Sequence, residues 1–273
     1  MPDGELRVQS FQSDRIDDTA ISYLVEFLDQ QAAMSAVSEL RDWAHEALAV
    51  GPGQRALEVG SGTGSSVQRL AAAVGPDGEA IGLDVNTGLL AVAEGRARSA
   101  GSAARFVHGD VYAAPFADGS VDAVLCERVF QFLDRPERAV AEIARVLRPG
   151  GRVVLIDSDW SSATLYPGDL EVLRTVESML ASRLHGREPL AGRKLRSWLS
   201  GASLTVTDHE ARTLFLPYEM FLNAGLLALI DMAVTRGEIT AEQRKQFLAG
   251  LADAQSRGEF HASVTMFAAA AYR

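Results

Sequence analysis

The chain has 273 residues, a length that one elaborated α/β domain satisfies as well as two smaller ones at about 150 residues each. Lys and Arg number 26 against 36 Asp and Glu, a formal charge of −10 with a pI near 5.0, which excludes the basic field that draws nucleic acids or anionic membranes. With 47% hydrophobic and 23% charged residues the chain is not disordered and can bury a full core.

In chain order, Met1-Pro2-Asp3-Gly4-Glu5 lacks the basic and apolar regions of a secretory leader. The lone cysteine, Cys126, excludes an intramolecular disulfide, and together these predict a cytoplasmic location. Apolar residues at helical spacing (Ile21, Leu24, Val25, Leu28, then Val37, Leu40, Ala44, Leu48) predict two helices within 17–49, an N-terminal cap over residues 1–50 closed by Gly51-Pro52.

From residue 55 to 157 short β-rich runs alternate with helical ones. Strands are expected at 56–59, 80–83, 105–107, 121–125 and 152–156, with helices from Gly64, from Thr87 and over 136–147. Asn86 offers an N-cap, Pro136 suits a first helical turn, and Arg148-Pro149-Gly150-Gly151 forms a turn into the next strand. Beyond Trp160, helices are expected at about 168–185, 192–200, 217–235 and 240–257, with β-rich runs at 204–216 and 260–267. The most apolar stretch, 224–234, is interrupted by Asp231 and is far shorter than the roughly 20 residues a bilayer needs. This alternation predicts an α/β, doubly wound, Rossmann-like domain over 51–273, with a seven-stranded, mostly parallel sheet and helices on both faces. Helical lid insertions at about 161–202 and 217–257, together with the N-terminal helices, are expected to wall a pocket above the carboxyl ends of the strands.

The chemistry is concentrated in Leu57-Glu58-Val59-Gly60-Ser61-Gly62-Thr63-Gly64, a strand that runs into alternate glycines and then a helix. Glycine is needed where backbone turns sharply or approaches a ligand, and free N–H groups at the helix start favour negative charge. The spacing is G-x-G-x-G; the dinucleotide fingerprint wants Gly or Ala where Ser65 stands. Asp84 closes the second strand 20 residues after Gly64, where a carboxylate can accept both hydroxyls of a ribose. Asp110, after the third strand, can accept from an exocyclic adenine amine while an adjacent N–H donates to the ring.

These motifs, with Gly82-Leu83-Asp84-Val85, Gly109-Asp110-Val111 and Pro115-Phe116, residues 121–133 and Arg145-Val146-Leu147-Arg148-Pro149-Gly150-Gly151, stand in one order over residues 36–160. In that order they resemble a class I S-adenosylmethionine (SAM)-dependent methyltransferase of the ubiquinone/menaquinone-biosynthesis type (methyltransferase type 11). The resemblance implies that SAM is the cofactor, with Glu58 and the Gly60 backbone facing the methionine ammonium. It implies that Ser61, Gly62 and Gly64 shape the loop against the cofactor, Asp84 holds the ribose, Val85 contacts adenine, and Asp110 with Val111 reads the adenine edge. Cys126, ending the fourth strand, offers backbone contacts to the methionine portion.

Where related sequences read Glu-Arg-Val-Leu-Gln-His, this chain has Glu127-Arg128-Val129-Phe130-Gln131-Phe132, so the aromatic ring of Phe132 replaces a potential base. Arg128, Phe132, Asp159, Trp160 and Tyr23 are the expected pocket residues, Arg128 having a structural ion pair as its other reading. His185 in the lid is the favoured base among five histidines whose spacing suggests no metal site. The apolar residues of the lid (Leu214, Phe215, Leu216, Phe221, Leu222, Leu226, Leu227, Ile230) favour a hydrophobic acceptor such as a quinone, polyketide or terpenoid, or else simple helix packing. The leading expectation is methyl transfer to such a small molecule, without nucleic acid or membrane partners and with homodimerisation left open. The alternative keeps the fold and SAM but catalyses a cyclisation or rearrangement without net methyl transfer.

Overall fold

The computed structural model describes residues 18–181, 188–222 and 226–273. Strands β1 (Arg55–Val59), β2 (Glu79–Asp84), β3 (Arg105–His108), β4 (Val121–Glu127), β5 (Leu147–Tyr166), β6 (Thr205–Phe215) and β7 (His261–Tyr272) form one seven-stranded sheet in the order β3-β2-β1-β4-β5-β7-β6. β1 to β5 are parallel, and β7 lies antiparallel between β5 and β6. The chain works outward from β1 to β3 and then returns to place β4 beside β1. The crevice of a doubly wound sheet opens at that reversal, above the carboxyl ends of β1 and β4.

Strand periodicity sends successive residues to opposite faces, and each face builds its own core. Leu57, Val124 and Val153 are in register and bury one face against Ile143 of α5 (Pro136–Val146) and Leu195 of α7 (Ala191–Gly201). Their neighbours Ala56, Leu125 and Val154 bury the other against Leu40 of α2 (Ser35–Leu48) and Leu70 of α3 (Ser65–Val74). α4 (Thr87–Ser99) starts where expected, with the Asn86 side chain accepting from Leu89 N at 3.0 Å. The N-terminal segment supplies α1 (Asp18–Ala32), which lies against α2 and α4.

Three local expectations are corrected. β5 begins at Leu147 and takes in the Arg148–Gly151 run as an irregularity, where pairing with β4 passes from Leu147 to Arg152 while Gly150 N donates to Arg273 O and Arg273 N to Gly151 O, a pairing with the far end of the chain. β5 also continues to Tyr166, opposite Ser263, Ala262 and His261 of β7. β7 in turn includes Ala268 to Ala271, a run of strong helix formers. These alanines are buried in the strand, and nearby α7 packs so closely that a Cβ on Gly192 would lie 2.8 Å from Asp157 O and 2.9 Å from the Phe267 ring. Close packing selects small residues there and overrides propensity.

The insertions are α6 (Leu170–Met179), α8 (Tyr218–Phe221), α9 (Leu227–Thr235) and α10 (Ala241–Ser256). Val176, Phe221, Leu226, Ile230 and Leu251 close a third core over Leu165 and Ala262, at the extended ends of β5 and β7. Among the described residues no helix is long and apolar enough to cross a membrane.

Candidate active site

β1 ends on Val59, and the chain turns through Gly60, Gly62 and Gly64, all in the left-handed region at φ 72°, 51° and 79°. The loop borders a cavity of about 400 Å³ at the β1/β4 crevice, within the size range of small-molecule sites. Glu58, Gly60, Ser61, Gly62, Asp84, Val85, Asp110 and Val111 line it, as do Tyr23, Arg128, Phe132 and Trp160. Gly62 is needed at the wall, since a side chain at its φ of 51° would be strained, although a Cβ there would meet Leu28 of α1 only in ordinary contact at 3.4 Å.

Three expected site residues lie elsewhere. Gly64 is not a wall residue: a Cβ there would sit 2.7 Å from the Phe106 ring and 3.0 Å from Ala93, so this glycine permits helix-on-sheet packing. Cys126 is fully buried between its ladder partners Val59 and Leu155, its side chain in the core and its thiol pushed up by burial. Asp159 is equally buried but turned away from the cavity, bonded to Ser161 and ion-paired with Arg193 of α7. His185 lies outside the described residues. Of the expected walls, the N-terminal helices supply theirs through α1 and Arg41 of α2, whereas among the described residues none of α6 to α10 lines the cavity.

Glu58 is 4% exposed, and its Oε2 has no hydrogen-bond partner among the described residues. Burial raises its carboxyl to about 8, against the opposing pull of Arg41. A buried acceptor left unsatisfied is costly, so the position is suited to a ligand cation. Asp84 braces the loop: Oδ2 accepts from Gly62 N and Oδ1 from Asn86 N, both at 2.8 Å, which leaves further lone pairs on each oxygen. Burial raises its carboxyl, and those two N–H groups oppose the shift. Asp110 Oδ1 caps the turn at Tyr112 N, 2.9 Å away.

At the β4 end lies a charge cluster that periodicity did not reveal. Arg41 reaches up from α2 and donates to both oxygens of Glu127, at 2.7 and 3.1 Å. Arg128 donates to Glu127 Oε1 at 2.9 Å and to Gln31 of α1. Burial would raise the Glu127 carboxyl, but the two guanidinium groups outweigh it and hold it below the usual range. Behind them Asp157, fully buried, accepts from Ser158 N at 2.8 Å and Gln131 N at 3.2 Å, and burial raises it to about 7. Gln131 Oε1 fixes the Trp160 indole N–H at 2.8 Å. One signal was available: Arg41 interrupts the apolar stripe Val37, Leu40, Ala44, Leu48, as Glu58 and Glu127 interrupt apolar strands. Among the described residues no group of three or more His, Cys, Asp or Glu side chains could hold a metal ion.

Comparison with known proteins places this geometry. Residues 57–155, the sheet centre and the crevice, match a methyltransferase domain. Over 189 residues the chain is 32% identical to the demethylmenaquinone methyltransferase of Beutenbergia cavernae, covering 67% of this chain and 75% of that protein. The chain belongs to the class I SAM-dependent methyltransferases. This methyltransferase is also 32% identical over 262 residues to an uncharacterised 37.1 kDa protein of a Streptomyces fradiae transposon, covering 93% of this chain and 73% of that one. It spans 40% to 59% of the length of several other curated relatives. The phosphoethanolamine N-methyltransferase 2 of Haemonchus contortus, solved in complex with SAM, shares the fold at a TM-score of 0.56 and 17% identity, covering 97% of this chain and 59% of that one. The methyltransferase is therefore an enzyme whose cofactor is SAM, and the unsatisfied Glu58 oxygen and the side-chain-free face of Gly62 fit that ligand.

Proposed function

We propose that the enzyme transfers a methyl group from SAM to a hydrophobic, aromatic or conjugated small molecule. The observation that carries this reading is the wall of the cavity beside the glycine loop, where Tyr23, Phe27, Phe132 and Trp160 present aromatic surface. Tyr23 and Phe27 stack with ring centroids 6.3 Å apart, and Trp160 is held by Gln131. Rigid aromatic side chains give large contact area at low entropic cost.

In this reading Glu58 takes the methionine ammonium, Asp84 the ribose hydroxyls, and Asp110 with Val111 the adenine edge, while Val85 packs on the base. SAM, when bound, supplies a methyl group on a sulfonium whose charge is lost on transfer. The protein's part is then alignment and exclusion of water, which α1 serves by covering the crevice. Phe132 has no group that can accept a proton, so no base is assigned at that position.

The test is to incubate the protein with methyl-labelled SAM and a panel of phenols, quinols and terpenoids and to read product mass. The expected product gains one methyl group, with equimolar S-adenosylhomocysteine. A product of unchanged mass with SAM unconsumed would instead establish the cyclisation or rearrangement reading.

A further inference from the structure

We propose that Arg128, held by Gln31 and Glu127, is an anion subsite that takes the acceptor's acidic hydroxyl, phenolic or enolic, as its oxyanion. The inference deepens the reading above and rests on it.

Backbone geometry comes first. Arg128 follows the last residue of β4 at φ 56°, a left-handed conformation that is unfavourable for a residue with a side chain and is kept where the surroundings impose it. Its N–H donates to Ile156 O at 2.8 Å, anchoring the turn, and its side chain lines the cavity.

The second observation is a count of donors and charges. A guanidinium has five N–H donors. Among the described residues, Arg128 uses Nη1 on Gln31 and Nη2 on Glu127. Glu127 is meanwhile bound through both oxygens by Arg41, so two guanidinium groups share one carboxylate. The charged groups facing Arg128 are Glu127 on its own strand, Arg41 on α2 and Asp157 on β5. Asp157 is turned to backbone N–H groups. Arg41 and Arg128 are therefore two guanidinium groups bonded to a single carboxylate, with Glu58 acting on Arg41 only through space. Glu58, Asp84, Asp110 and Asp134 also line the cavity, the first three being committed to the cofactor in the reading above.

A partly desolvated guanidinium with spare donors binds an oxyanion strongly. Such a site lowers the pKa of a bound phenol, so that the proton leaves to solvent on binding and no side chain has to remove it later. That accounts for an active site in which an aromatic ring, Phe132, occupies the place of a potential base.

The probe is 4-nitrophenol, whose phenol and phenolate absorb at different wavelengths, titrated with pH on protein saturated with S-adenosylhomocysteine. The bound probe is expected to have its pKa lowered by about one unit, a tenfold preference for the anion. Arg128→Gln abolishes the shift, and Arg128→Lys keeps part of it. Glu127→Gln removes the negative charge that Arg128 shares with Arg41 and enlarges the shift, which keeps the test decisive if Arg128→Gln does not fold. An unchanged pKa in the wild type, the same shift in Arg128→Gln, a smaller shift in Glu127→Gln, or no binding of the probe would each overturn the proposal. Failure of S-adenosylhomocysteine to bind the folded wild type would strike the cofactor assignment instead, and the probe titration on the unliganded protein would then decide the anion subsite by itself.

Discussion

Glu58 is where burial, charge and ligand chemistry meet. Its carboxyl, raised to about 8 in the folded protein, binds a proton more tightly than in the unfolded chain. Stability from this group is fully present below the unfolded value of about 4.3 and is lost as pH rises through about 8. Asp157, raised to about 7, acts in the same direction. The unliganded protein is expected to melt at progressively lower temperature between pH 5 and 8, with a flatter profile for Glu58→Gln in a thermal-melt series. Cofactor binding requires the carboxylate, so S-adenosylhomocysteine affinity should rise over the same interval with proton release measurable by calorimetry in buffers of different ionisation enthalpy. Glu58→Gln should lose about 10- to 100-fold in affinity, the range for a hydrogen bond to a charged partner. Unchanged affinity with no proton release would remove Glu58 from the ammonium site.

At the scale of elements, the glycine loop and α1 do different work. Gly64 stands at φ 79° with Phe106 filling the space of a side chain. Gly64→Ala should therefore cost about 1–3 kcal/mol of stability, read as a drop in denaturation midpoint, through overpacking between α3 and the sheet. α1 covers the cavity but is pinned to α4 by Asp29 and Arg96, a bidentate pair at 2.8 and 2.7 Å whose side chains are 47% and 35% exposed. Such a pair is worth about 0.5 kcal/mol. Arg96→Ala should barely move the melting temperature yet release S-adenosylhomocysteine about twofold faster in stopped-flow displacement; an unchanged release rate would show that α1 does not gate the site.

For the whole molecule, what could be read from the sequence was what is local. Strand runs, the glycine loop, Asp84 at its strand end and the Asn86 cap each depend on residues within a few positions, and the described structure places them as expected. Features that depend on distant partners were not legible. Ala268 to Ala271 fall outside the expected β-rich run and extend β7 only where α7 and β5 pack around them. Of the two sets of walls expected, α1 of the N-terminal segment covers the cavity, whereas among the described residues Phe221, Leu226 and Ile230 of the insertions close a core of their own. The Arg41–Glu127–Arg128 cluster joins α2 to β4 across 86 residues of sequence, and only the odd arginine in an apolar stripe hinted at it.

The central claim is that the crevice between β1 and β4 binds SAM. It is tested most directly by calorimetric titration of the wild type and Asp84→Ala with SAM, S-adenosylhomocysteine and NADH. The account predicts that both sulfur ligands bind the wild type, that NADH does not, and that Asp84→Ala loses at least tenfold in affinity, about 1.4 kcal/mol. Binding of NADH in place of SAM, or an Asp84→Ala protein that binds SAM as tightly as the wild type, would contradict it.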